Sequence, residues 1–407
     1  IFDPQQMTVS GRWFLHFASY FNGFTQMPAV IGLFSVLFLA LAAALAVSLL
    51  GIRSRALSAL SGALMAAFPA VGYTFLYLFT ASAYCFAIFL AVLSVSLARR
   101  GRWHWLAGCL LLACSMGTYQ AYVTVAIGLS LLVIFRETLD PSASFSATLR
   151  LGVRLMLFLA AGAVLYYGIL LVFLQVKDLE LLSYLGMDAA SSGYPFSRLP
   201  GLLLDTYKQV AAFFFLPGSA NTFTSGWMAV LDLAALALGG GCFLLCMGQE
   251  GLWRARWRPL GGLAMLALLP LGINFGQILS PWSAPTPLMK YAFVLVYLAV
   301  VLLADRALPA AGAGASVLRR RAAPCAALWL VLLLLSRLLT WRQIWLCSPI
   351  SAVFHNLGQL LVAAALLGSW TVLAYLPYLV VAGAASGLFT GLCAQLLVGR
   401  LKGLDHG

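Results

Sequence analysis

The chain has 407 residues, 63% of them hydrophobic and only 9% charged, with a mean hydropathy of +0.99. That composition excludes a soluble globule, which is about half apolar. The formal charge of +13 gives no reason to expect nucleic acid as a partner, because the basic residues stand in short clusters between apolar runs, where they act as topology signals. The expected fold class is all-α, a polytopic integral membrane protein of about 10–12 transmembrane helices in the lipid bilayer, since the runs suit helical crossings and show no barrel-type alternation.

The segment 1–27 opens on Ile1 and has no basic stretch followed by a short apolar core, so it is not a signal peptide and the N-terminus is expected to be truncated. It carries Ser10-Gly11-Arg12-Trp13-Phe14 just before the first long apolar run. A guanidinium can grip a phosphate diester in two hydrogen bonds, which makes Arg12 a candidate for an anionic lipid-linked substrate. Headgroup snorkelling is the bland alternative.

Candidate spans follow at 28–50, 57–81, 82–98, 105–117, 121–135, 155–176, 226–247, 260–280, 291–304 and 322–336, with two more at 356–367 and 373–398. The run 105–117 is short, and a tight hairpin broken near Gly117 keeps the flanking arginine clusters on one face. On that face lie Arg53/Arg55, Arg99/Arg100/Arg102, Arg136/Arg150/Arg154, Arg254/Arg256/Arg258 and Arg306/Arg319/Arg320/Arg321; the other holds only Arg12, Lys177, Arg198, Lys208 and Lys290. The positive-inside rule makes the first set cytoplasmic and puts 1–27, 177–225 and 281–290 outside. Parity breaks in the tail, where a crossing at 322–336 would carry Arg337 and Arg342 outward.

Polar residues gather on the outer side. The long connection 177–225 carries Asp178, Glu180, Asp188 and Asp205 among aromatics that suit either sugar stacking or interfacial anchoring. Tyr119 and Gln120, at the hairpin break, either bind sugar hydroxyls or satisfy helix ends. Asp232 sits inside a span, where a carboxylate is costly and is usually functional or paired. Lys290 follows a proline-rich stretch and is a second candidate for phosphate.

Eight cysteines lie mostly inside apolar runs without any CxxC, and the four histidines are scattered, so no metal, disulfide or cofactor is expected. GxxxxGK[ST], GxGxxG, HExxH and GxSxG are absent, which leaves nucleotide hydrolysis, zinc proteolysis and serine hydrolysis without support.

With Ser10–Phe14 ahead of an uncharged first span, and Ser115-Met116-Gly117-Thr118-Tyr119-Gln120-Ala121 further on, the chain resembles the bacterial membrane glucosyltransferases of the O-antigen-modifying type (Gtr type II) over about residues 1–305. The resemblance implies a GT-C-like enzyme of the bacterial cytoplasmic (inner) membrane with its active face outward. It would transfer glucose or a similar hexose from a polyprenyl-phosphate donor to an outer-face glycan or lipid-linked acceptor. Carried over by motif, Gly11, Arg12 and Trp13 match the family's Gly-Arg-aromatic motif, Tyr119 and Gln120 match its Tyr-Gln pair, and Lys290 matches a basic position more weakly. The family's Asp-Asp pair ahead of Gly-Arg is missing, Asp3 being the only acid there, so Asp3, Asp178, Asp188 and Asp205 are the candidate catalytic bases.

The tail at 346–403, with Ser348-Pro349-Ile350 and Tyr375-Leu376-Pro377, resembles the Gx transporter family, also labelled heptaprenyl diphosphate synthase component I. Three parts are therefore expected: 1–305, a junction at 306–345, and 346–407. A transporter or flippase for a polyprenyl or small lipophilic substrate is the alternative function, and an inactive remnant the third.

Overall fold

The computed structural model describes residues 4–22, 27–180, 196–216, 226–249, 252, 255–279, 286–310 and 375–404. The chain divides into two compact units, Ile1–Gly312 and Ala313–Gly407. Among the described residues the secondary structure is entirely helical. Among the described residues, seven helical segments are long and apolar enough to cross a membrane, with Trp257–Ile273 and Leu376–Phe389 as shorter apolar helices. The protein is an all-α polytopic membrane protein.

In the first unit, α1 (Pro4–Val9) and α2 (Leu15–Ala18) precede α3 (Pro28–Leu50), α4 (Arg55–Ala67), α5 (Pro69–Leu76), α6 (Leu78–Ala98), α7 (Arg102–Thr118), α8 (Val123–Thr138) and α9 (Phe145–Val176). Then come α10 (Leu199–Phe215), α11 (Gly226–Gln249), α12 (Trp257–Ile273), α13 (Phe275–Leu279) and α14 (Val294–Ala310), the last preceded by a 3₁₀ segment, Pro287–Phe293. In the second unit α15 (Leu376–Leu404) is described; the expected spans at 322–336 and 356–367 lie outside the described residues.

Helix ends fall where the chain chemistry puts them. Pro28 and Pro69 open α3 and α5 at the first turn, where the missing N–H has no ladder partner to lose. Pro69 also leaves Met65 O without its usual i+4 donor, and the Tyr291 hydroxyl donates to that carbonyl at 3.0 Å. The expected run 57–81 is therefore two helices, and the next begins at Leu78 rather than residue 82 because Tyr77 leaves helical geometry (φ −104°, ψ 60°).

α6 is largely buried and packs on α3, α7 and α8, while α12 packs on α8 and α14 on α11. Ala83, Ala87 and Ala91 are buried along α6, and such small residues let helices approach closely where lipid supplies no hydrophobic drive. Ser115 of α7 donates across that interface to Ala87 O at 2.8 Å.

Arginines bind the loops at one end. Arg136 donates to Leu49 O at the end of α3, Arg154 to Ala98 O and Arg100 O after α6, and Arg258 to Asp140 O, Pro141 O and Ala143 O between α8 and α9. Asp305 accepts from Arg53 N and Ser54 N at 2.9 and 2.8 Å. The described arginines of these clusters in the first unit thus share one end, as their spacing in the sequence requires, and the α7–α8 hairpin turns at Tyr119 on the other.

Candidate active site around Arg12

At the end opposite the basic clusters, α1 closes with a left-handed glycine. Gly11 has φ 76°, Arg12 N donates to Met7 O at 2.8 Å and Gly11 N to Thr8 O at 2.9 Å. This is a Schellman cap, which favours a residue without Cβ at that position. The turn reverses the chain and delivers Arg12 and Trp13 to the α7–α8 break.

Five contacts hold the segment there. Phe14 N donates to Gly117 O at 2.7 Å, and Gly117 is the notch that receives Trp13: a Cβ on it would lie 2.6 Å from the indole. Gln120 Nε2 donates to Ser10 O at 3.0 Å and to the Tyr166 hydroxyl at 3.1 Å. Tyr166, on α9, in turn donates to Gly11 O at 3.0 Å. Trp13 stacks on Phe173 of the same helix, centroids 5.7 Å apart.

The Arg12 guanidinium lies 5.2 Å from the centroid of the Tyr119 ring, and Tyr119 stacks on Tyr84 at 4.9 Å. Arg12 also donates to the Tyr84 hydroxyl, at 3.4 Å. Its Nε and the neighbouring Trp13 Nε1 are both buried, and neither has an acceptor among the described residues. Buried donors are nearly always paired, so two without an acceptor on consecutive residues of this turn are unusual.

Lys177 joins the cluster from the end of α9. Its Nζ lies 5.6 Å from the Phe173 centroid and donates to Thr8 Oγ1 at 3.4 Å. Asp178 follows it in a left-handed conformation, φ 49°. Gly11, Arg12, Trp13, Tyr119 and Gln120 are thus gathered at one place, with Tyr84, Tyr166 and Lys177 added by the fold; Asp178 follows Lys177 with no contact to the cluster among the described residues.

The remaining candidates lie elsewhere or beyond view. Lys290 is buried in the 3₁₀ segment before α14, with its Nζ 5.7 Å from the Phe213 centroid. That segment packs on the turn Gln120–Tyr122, which stands between Lys290 and Arg12. Asp205 is exposed on α10 and pairs with Lys208 at 3.2 Å. α10 itself is a structured part of the connection 177–225. Asp232 accepts from the Tyr297 hydroxyl at 2.6 Å, between α11 and α14. Asp3 and Asp188 lie outside the described residues. Among the described residues no cluster of His, Cys, Asp and Glu could hold a metal ion.

A second concavity, about 410 Å³, lies between α10, α11, α12 and α14. Its walls are apolar: Phe214 and Phe215 from α10, Gly240 from α11, Leu266 from α12 and Val300 from α14 are among them. Tyr207, the polar side chain in its lining, directs its hydroxyl to Ala267 O.

The family model for Glucosyl transferase GtrII matches residues 1–303. The chain belongs to this family. The GtrII match takes in the whole Arg12 cluster and all the helices of the first unit through most of α14. A second family model, Heptaprenyl diphosphate synthase component I, matches residues 287–397. That similarity begins at 287, well ahead of the tail motifs at 346, and shares residues 287–303 with the GtrII match. No curated protein and no solved structure matches the chain.

Proposed function

We propose that this GtrII-family membrane protein transfers glucose, or a similar hexose, from a polyprenyl-phosphate donor to a glycan or lipid-linked acceptor, at the Arg12 cluster, in a GT-C-like manner. The observation that carries the reading is the pair of buried donors without an acceptor on consecutive residues, Arg12 Nε and Trp13 Nε1, on a turn held by Tyr84, Tyr119, Gln120 and Tyr166. A guanidinium so placed neutralises the charge that grows on the departing phosphate. Lys177 and, across the Gln120–Tyr122 turn, Lys290 add positive charge to the same end.

In the proposed step the acceptor hydroxyl oxygen attacks the anomeric carbon, the bond from that carbon to the phosphate oxygen breaks, and the lipid phosphate leaves with the electron pair. The hydroxyl proton passes to a carboxylate. Of the four acids Asp3, Asp178, Asp188 and Asp205, position favours Asp178, which follows Lys177 against α1. One direct displacement inverts the anomeric centre. The apolar concavity between α10 and α14 suits a hydrocarbon chain, and the name of the second matched family, with its heptaprenyl diphosphate, supports a prenyl-bearing substrate for the shared segment 287–303.

Membranes containing the protein, given radiolabelled polyprenyl-phosphate glucose, should yield labelled glycan. The Arg12→Ala variant should lose the transfer while retaining its level in the membrane. Equal transfer by the two would remove Arg12 from the mechanism; donor movement across the membrane without any glycosidic product would favour the transporter reading.

A further inference from the structure

The basic end of the first unit carries another concave surface, independent of the glucosyl-transfer reading. A groove of about 550 Å³ between α7 and α9 is lined by Arg102, Arg150 and Arg154 on its polar side. Trp105 and the α9 residues Leu149, Val153 and Leu157 complete it. Three of these seven side chains are guanidiniums and none is a carboxylate.

The nearby acids are committed elsewhere. Glu137 pairs with Arg99 at 3.4 Å, and Asp140 Oδ1 accepts from Ser142 N and Ser142 Oγ. Arg154 is fixed by the carbonyls that end α6, Ala98 O, Arg100 O and Gly101 O, and forms the floor. Arg150 uses its Nε on Ser146 O at 3.3 Å. Arg102 is exposed at the first turn of α7 and has no hydrogen-bond partner among the described residues.

The apolar side is equally specific. Leu149, Val153 and Leu157 recur every four residues, so they form one stripe along α9, and all three are exposed, at 55%, 43% and 54%. The stripe runs from the arginines towards the middle of the span. Trp105 stands beside it with its indole donating to Arg154 O at 3.4 Å, an amphipathic ring of the kind that borders headgroups.

We propose that this groove binds an anionic phospholipid of the surrounding bilayer, its phosphate between Arg102 and Arg150 and an acyl chain along Leu149, Val153 and Leu157. A soluble anion would leave the apolar stripe unused. A zwitterionic lipid brings its own cation to a wall that already holds three. Topology alone asks for arginines at this end but not for their convergence over an apolar stripe, whereas basic pockets between helices at this level are a recurring form of headgroup recognition.

The test is native mass spectrometry of the full chain in detergent, titrated separately with phosphatidylglycerol and phosphatidylcholine. Retention of phosphatidylglycerol should exceed that of phosphatidylcholine by about tenfold or more, and Arg102→Gln with Arg150→Gln should abolish the difference. The corresponding pair of Lys substitutions should keep most of it. Val153→Glu, which leaves every arginine in place, should also cut phosphatidylglycerol retention and so guards against a folding defect in the first pair. Unchanged phosphatidylglycerol retention in both the Gln pair and Val153→Glu would overturn the proposal. So would displacement of the lipid by inorganic phosphate at equal concentration, which would mark a simple ion site.

Discussion

Arg12 is held in place by residues far from it in the chain. Tyr166 donates to Gly11 O and accepts from Gln120, so Tyr166→Phe removes both bonds at once and leaves a buried carbonyl without its donor. Such a loss costs about 1–3 kcal/mol locally. The expected outcome is a transfer rate reduced about tenfold or more with little change in the apparent affinity for donor, read by the split between kcat and KM; a change confined to KM would count against a positioning role. Gly117→Ala tests the same cluster from the other side. Its methyl would overlap the Trp13 indole, so the variant should lose activity and melt lower, whereas Ala at the open Gly62 of α4 should do neither. The motif residues Gly11, Arg12, Trp13, Tyr119 and Gln120 were legible in the sequence because each short motif keeps its members together. Tyr84, Tyr166 and Lys177 were not, since they sit 46 to 169 positions from the groups they hold, and no local pattern distinguishes a phenol that binds a distant carbonyl from one that anchors at an interface.

At the level of helices, apolar runs and arginine clusters predicted most of the first unit, including the hairpin of α7 and α8. Two features escaped for physical reasons. A proline at a first turn does not interrupt hydropathy, so the break between α4 and α5 was invisible to an apolar window. α10 is amphipathic and follows a stretch with mixed polar and aromatic residues, so it read as connection. The joints between elements rest on single side chains that cap several backbone groups. Asp305 holds the turn into α4 through two N–H groups and is 5% exposed; Asp305→Ala should destabilise the unit by about 2–4 kcal/mol, with Asp305→Asn losing less because one oxygen remains. Thermal unfolding in detergent reads this directly. The loop between α8 and α9 has a pH dependence of known sign. Two hydrogen bonds from Ser142 hold the Asp140 carboxyl below the usual aspartate range, so its contribution is complete above about pH 4 and fades as the pH falls further. Hydrogen exchange across 139–144 should accelerate below that pH in the wild type and lose this dependence in Asp140→Asn.

For the whole molecule, the bundle end that carries Arg12 is poor in basic residues and the opposite end is rich in them. The arginines at the rich end do two jobs: they cap helix carbonyls, as Arg136, Arg154 and Arg258 do, and they bias insertion, because cytoplasmic loops accumulate Lys and Arg. Capping alone could be met on either face; only the second job selects an orientation. If it operates here, the Arg12 cluster faces away from the cytoplasm, the face on which the proposed donor and acceptor would meet. Cysteines placed at exposed positions report this without reference to activity. In a background whose native cysteines are replaced, Tyr20→Cys, at 64% exposure near Arg12, and Trp103→Cys, at 80% exposure on α7, should label oppositely. A membrane-impermeant maleimide added to intact cells should modify the first and reach the second only after the membrane is opened. The reverse pattern would place the transfer site on the cytoplasmic face and would require a cytoplasmic acceptor. A stricter control adds acids to the rich end: because orientation follows Lys and Arg rather than net charge, new Asp residues in the 139–144 loop should leave the labelling unchanged, while replacing Arg53, Arg55, Arg99, Arg100 and Arg102 together should mix the two orientations.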